Sequence, residues 1–217
     1  DEEALTELRE GLDGDLLLVP GDAGREADVI DTADRLSEWL DGAPLTCLVN
    51  NAGIADPYAR PLEDLSLADF QSWIDASLTA AFLCSRSCLP FLRRGEGGSI
   101  VNISSTRAVM SEPDCFGYAA AKGGLDALTH AMAVSLGPDI RVNAIRPGWI
   151  ETRNWQKEGT REKVEHREQD KAQHPAGRVG RPADIADTVH WLIGAGFVTG
   201  QAINVDGGMT VKMIYED

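Results

Sequence analysis

The chain has 217 residues, 43% of them hydrophobic, which is enough for one domain with a sizeable core. Its formal net charge of −15 gives an acidic surface that repels phosphate backbones and argues against a nucleic-acid partner. No apolar run approaches the roughly 18 residues of a membrane span, and the opening residues do not read as a signal peptide. Cys47, Cys84, Cys88 and Cys115 lack metal-ligand spacing; Cys84 and Cys88 share a helix face as packing residues, and unpaired cysteines predict a reducing cytoplasm. His130, His166, His174 and His190 are scattered, and no H-E-x-x-H or G-x-S-x-G occurs. Metalloprotease and serine-hydrolase chemistry have no support.

In chain order, Glu2 to Leu12 sets Ala4, Leu5, Leu8 and Leu12 at helical spacing, and Asp15 to Val19 reads as a buried strand. Arg25 to Leu40 is an amphipathic helix with Val29, Ile30, Ala33, Leu36 and Leu40 facing inward, and Leu45 to Val49 is the next strand. After a loop over Pro57 to Asp64, Ser66 caps a long helix through Leu67, Phe70, Ile74 and Leu78 that Pro90 bends or ends. Gly98 to Ile103 is a β-branched run ending in Ser104 and Ser105, the pattern of a strand buried on both faces. A helix follows with Leu125, Leu128, Met132 and Leu136 at helical spacing, then a strand from Ile140 into the turn at Pro147-Gly148. Glu151 to Gly177 is polar, with a short helical run. Pro182 opens a helix over Ile185, Val189, Leu192 and Ile193, and Ala202 to Val205 is the last strand. The alternation predicts one α/β domain, a parallel sheet with helices on both faces and ligands at the carboxyl ends of the strands.

The chemistry concentrates in Gly117-Tyr118-Ala119-Ala120-Ala121-Lys122-Gly123-Gly124. On a helix, Tyr118 and Lys122 stand side by side. A free phenol ionises at roughly pH 10, and a fixed ammonium one turn away favours its ionised form. Ser105 lies at a strand end thirteen residues earlier. With Asn50-Asn51-Ala52-Gly53, and with Pro147-Gly148-Trp149-Ile150-Glu151-Thr152, this set resembles the short-chain dehydrogenase/reductase family in order and spacing. The likeness continues to Thr199-Gly200-Gln201 and Asp206-Gly207-Gly208.

The resemblance implies a Rossmann-like doubly wound sheet and an oxidoreductase that interconverts a secondary alcohol and a ketone with NAD or NADP. Tyr118 would exchange a proton with the substrate oxygen, Ser105 would hydrogen-bond that oxygen, and Lys122 would support Tyr118 and bind the nicotinamide ribose. Asp22, with Ala23 beside it, matches the acidic position at the adenine; Asn50, Ala52 and Gly53 match the loop at the adenosine ribose. Pro147, Gly148, Ile150 and Thr152 match the segment that fixes the carboxamide. The polar stretch after Thr152 matches the substrate loop, where Trp149 and Trp155 offer apolar walls for a small carbonyl or alcohol substrate. Gly123 and Gly124 predict close approach of another helix, which in this family comes from a neighbouring subunit of a homotetramer or dimer.

Two departures stand out. Ser77 occupies a position where the family carries an Asn that holds a water in the proton relay reaching Lys122. The family's opening strand, glycine-rich turn, helix and second strand have no counterpart in the 217 residues. The expectation is therefore an N-terminally incomplete domain over residues 1–217, with the Leu16 and Leu45 strands short of a neighbour. The alternative to an enzyme is a non-catalytic family member serving as a binding or assembly subunit.

Overall fold

A computed structural model describes residues 2–213. Four parallel strands, β1 (Cys47–Asn50), β2 (Gly98–Ile103), β3 (Ile140–Pro147) and β4 (Ala202–Val205), form one sheet in the order β1-β2-β3-β4. Parallel neighbours need a crossover, and helices supply each one. β1 leads through α3 (Leu67–Trp73), a π-helical turn (Ile74–Thr79) and α4 (Ala80–Leu92) to β2. α5 (Phe116–Leu136) joins β2 to β3, and α6 (Glu168–Ala172) and α7 (Pro182–Gly194) lie between β3 and β4. Two further helices, α1 (Glu2–Gly11) and α2 (Glu26–Leu40), precede the sheet.

Period-two alternation along the strands divides the core. Ile100, Ile140 and Val142 pack with Leu92 and Ala133 of α4 and α5 on one face. Val101 and Ile145 pack with Leu192 of α7 on the other. Between them, cross-strand neighbours Asn50 and Asn102 carry a buried polar chain. Asn50 Nδ2 donates to Asn102 Oδ1 at 2.8 Å and to Ser85 Oγ at 3.1 Å; Asn102 Nδ2 donates to Thr129 Oγ1 at 2.8 Å. These bonds pin β1 and β2 to α4 and α5.

Ser66 caps α3 as expected, its Oγ accepting from the Asp69 amide at 3.0 Å. Several other expectations are corrected. Residues 16–19 carry no strand pairing, because a strand exists only through a partner and β1 bonds only to β2 among the described residues. The next strand starts at Cys47 rather than Leu45, whose amide donates to the Phe91 carbonyl instead. Ile30 faces outward and is half exposed, leaving Val29 as the buried residue of α2. The helix closes where the Arg93-Arg94-Gly95 run suggests, α4 passing through Pro90 to Leu92 with Arg93 as its cap.

The glycines of α5 do admit a neighbouring helix, and it belongs to the same chain. A Cβ on Gly124 would lie 2.8 Å from Leu78 Cδ2, and one on Gly117 only 2.4 Å from Trp73 Cε3. Gly123 has nothing nearer than the Ala108 carbonyl at 3.9 Å. This close seating holds the start of α5, with Tyr118 one residue after Gly117, against α3.

Truncating Asn102, which is fully buried, removes one hydrogen bond each from Asn50 and Thr129, which keep those to Ser85 and to the Leu125 carbonyl. Asn102→Ala should cost roughly 1–3 kcal/mol, the two lost bonds being worth about 0.5–1.5 kcal/mol each. Urea unfolding checks this: the midpoint should fall with the slope unchanged.

Candidate active site

The carboxyl ends of β1, β2 and β3 open onto a cavity of about 1460 Å³. Its walls include Gly53 after β1, Ser104 and Ser105 after β2, Tyr118 and Lys122 of α5, and Pro147, Gly148, Ile150 and Thr152 at the end of β3. Eight of the twelve candidate site residues, all of these but Ser104, therefore meet in one place. The others divide: Ala23, Asn50 and Ala52 line a separate space of about 90 Å³ on the other side of β1, and Asp22 is exposed, its Oδ1 accepting from the Gly24 amide at 2.9 Å. Asn50 spends its side chain on Ser85 and Asn102. Of the two loop tryptophans, Trp149 lines the cavity, whereas Trp155 is 69% exposed and outside its lining.

Local structure explains how the three central side chains are aimed. β2 ends at Ile103, and the Ser104 amide still donates to the Ile145 carbonyl at 2.7 Å, so the chain stays on the sheet until Ser105. Ser105 then turns into a 3-10 segment (Thr106–Ala108), its Oγ accepting from the Arg107 amide at 3.1 Å. α5 brings Tyr118 and Lys122 to the same opening. Lys122 is 5% exposed, donates to the Ile103 carbonyl at 2.9 Å, and holds its Nζ 5.6 Å from the centre of the Tyr118 ring. Burial pushes the Lys122 ammonium down to about 8, against a smaller opposing pull from Asp126 one turn further on. Asp126 is itself engaged by Arg146 at 2.8 Å.

Ser77 lies in the π-helical turn, 3% exposed, with no hydrogen-bond partner for its Oγ among the described residues. A Cβ on Gly53 would sit 3.0 Å from Ser77 Oγ, 3.7 Å from Lys122 Nζ and 3.9 Å from the Ala76 carbonyl. The glycine thus keeps Ser77 and Lys122 facing a common space. A π turn widens the helix by one residue and is a frequent mark of functional positions.

The far wall was not legible in the motifs. It comprises Tyr58, Arg107, Met110 and Glu112 on one side and Gln173, Met209 and Thr210 on the other. Arg107 could have been suspected from its place two residues after Ser105. The substrate-loop side is braced around Glu151: Arg153 hydrogen-bonds both of its oxygens, at 2.9 and 2.7 Å, and holds the carboxyl well below the usual range. His166 approaches Glu151 at 3.5 Å and packs edge-on against Trp149 at 5.4 Å.

The residues fit a nicotinamide dinucleotide. The cavity exceeds the roughly 300–1,000 Å³ of a single small-ligand site. Gly53 offers a bare backbone beside the buried cation of Lys122.

Comparison with known proteins accords with this arrangement. The family model described as enoyl-(acyl carrier protein) reductase matches residues 1–210. An uncharacterized oxidoreductase of Thermotoga maritima is 45% identical, the match covering 100% of this chain and 86% of the relative. A cis-4-hydroxycyclohexanecarboxylate dehydrogenase of Sinomonas cyclohexanicum is 36% identical over 94% of this chain and 84% of its own. An apo SCOR enzyme from Clostridium thermocellum superposes with a TM-score of 0.78 at 40% identity, covering 90% of this chain and 74% of that structure. The chain belongs to the short-chain dehydrogenase/reductase family of NAD(P)-dependent oxidoreductases.

Proposed function

We propose that the chain interconverts a small secondary alcohol and its ketone, with Tyr118 as proton donor and acceptor. The observation that carries this reading is the convergence of Ser105, Tyr118 and a buried Lys122 on one cavity at the ends of β1, β2 and β3. NAD or NADP would supply the hydride or accept it. Ser105 Oγ donates to the substrate oxygen and sets it against the Tyr118 hydroxyl. In reduction, that hydroxyl delivers a proton as charge develops on the oxygen; in oxidation the phenolate takes it back. Lys122, charged and desolvated, favours the phenolate and would also bind the nicotinamide ribose. Asp22, Ala23, Asn50, Ala52 and Gly53 would serve the adenosine end, and Pro147, Gly148, Ile150 and Thr152 the carboxamide. Trp149 and Ile150 supply apolar wall for the substrate.

The Sinomonas relative is named for a ring alcohol that bears a carboxylate, which makes cyclic hydroxy acids and their ketones the first compounds to try. Exposed Phe82 on α4 and Val134 on α5 support assembly as a homo-oligomer, a tetramer or dimer. Unpaired cysteines support a reducing, cytoplasmic setting.

Tyr118→Phe should lower turnover roughly a hundred- to ten-thousand-fold, the usual worth of general acid–base catalysis, while cofactor affinity changes little. Steady-state kinetics on any accepted ketone, with cofactor binding by calorimetry, checks both halves. Wild-type turnover in the variant would remove Tyr118 from its role.

Ser77→Asn reaches further into the space shared with Lys122. If proton delivery runs through that space, turnover should rise about tenfold or more, a barrier change of about 1.4 kcal/mol. Single-turnover measurements distinguish this from faster product release. No gain would mean the proton leaves by another route.

Lys122 also has a stability signature. It binds its proton less readily in the folded chain than in the unfolded one. Below about pH 8 the full penalty of burying the charge is therefore present. Between there and the ordinary value of 10.5 the unfolded state holds more protons, so stability rises with pH. A shift of about two units corresponds to roughly 3 kcal/mol, part of it offset by the bond to Ile103. Lys122→Met should accordingly raise the melting temperature at pH 7 by a few degrees while abolishing turnover, the stability gap closing towards pH 10. Thermal melts of both proteins across that range decide the matter.

A further inference from the structure

Glu112 and Arg107 sit face to face at the cavity rim, and the pair is lopsided. The Arg107 guanidinium is 21% exposed, donates to Cys115 Sγ at 2.8 Å and lies 5.2 Å over the Tyr58 ring. It is held from three sides. Glu112 is 56% exposed, on the loop between the Thr106–Ala108 segment and α5, and accepts from Arg107 Nη2 and from Tyr58 O–H, the latter at 3.0 Å. Swinging this carboxylate into water costs little, whereas moving the guanidinium would break its packing. The other arginine of the cavity, Arg167, is closed off by comparison: it grips Asp170 bidentately at 3.0 and 2.7 Å, and Asp170 is 6% exposed.

Position matters as much as charge. Arg107 follows Ser105 by two residues and bonds its Oγ through the backbone. Its guanidinium reaches Cys115, the cap residue of α5, one turn before Tyr118. Arg107 thus lines the same cavity as Ser105 and Tyr118, in a chain whose net charge is −15.

We infer that Arg107 and Tyr58 form a recognition site for an anionic group on the substrate, a carboxylate or an acid of similar shape, and that Glu112 is an internal occupant which the substrate displaces. The inference rests on the dehydrogenase reading and names the substrate class of the same cavity: keto acids and hydroxy acids. The incoming carboxylate takes over the donors that Glu112 now uses, Arg107 Nη2 and Tyr58 O–H, and Glu112 moves into solvent. Glu112 thereby lowers affinity for every acid and leaves neutral substrates almost untouched.

The test compares 4-oxocyclohexanecarboxylate with its methyl ester, which carries the same ketone without the charge. Wild-type protein, Glu112→Gln and Arg107→Gln are assayed for kcat/KM and for direct binding by calorimetry. Wild type should prefer the acid. Arg107→Gln should lose roughly ten- to a hundredfold of that preference, the worth of one charge-assisted bond. Glu112→Gln should raise acid affinity severalfold through KM, and shift the acid-to-ester ratio towards the acid by the same factor. Turnover with an acid-to-ester ratio that neither variant moves would overturn the anion site and leave the dehydrogenase reading standing. Arg107-dependent acid binding without turnover would support the anion site and count against that reading. Failure of the acid to bind, or binding that ignores Arg107, would overturn the proposal.

Discussion

Of the bonds that tie α5 to the sheet, one lies at the cavity: Lys122 Nζ to the carbonyl of Ile103, 2.9 Å. Ile103 is the last residue of β2, where a parallel strand runs out of neighbours for its carbonyls. The ammonium answers that carbonyl, and in doing so is taken out of water. Both consequences serve the site. The bond holds the ammonium at the end of β2, 5.6 Å from the centre of the Tyr118 ring, while desolvation preserves the strength of a charge that solvent would otherwise screen. The same desolvation makes the residue a stability liability. The surrounding bonds are organised to carry it.

That organisation begins in the middle of the sheet. The Asn50–Asn102–Thr129 chain lets β1, β2 and α5 share buried polar groups without leaving any of them unpaired. Trp73 and Leu78 seat in the gaps left by Gly117 and Gly124, so the helical run before β2 lies close along α5. The π turn falls within this contact and turns Ser77 toward Gly53 and Lys122. A substitution far from the cavity can thus reach the reacting groups through two packed helices.

Much of this was legible in the sequence because it obeys local rules. Alternating strand and helix patterns gave the layers, and Y-x-x-x-K together with the serine at a strand end located the opening. Helix spacing was a weaker guide for α2, where Ile30 falls on the apolar stripe yet faces outward. The Leu16 to Val19 segment has every compositional mark of a strand but no pairing; composition reports suitability, and a partner decides. The π turn leaves no signal in periodicity, since it is a one-residue slip set by packing. The Arg107–Glu112–Tyr58 cluster joins residues up to 54 positions apart, and only the folded chain brings them together.

The central claim is that a buried, depressed ammonium stands beside Tyr118, and the ionisation of Lys122 tests it most directly. The chain contains five lysines, few enough for side-chain carbon-13 labelling and NMR titration, with Lys122→Met assigning the signal. The account predicts one lysine whose Cε shift titrates near pH 8 and vanishes in that variant. If no lysine signal titrates near pH 8, Lys122 is solvated, and the explanation of how this site is charged and aligned is wrong.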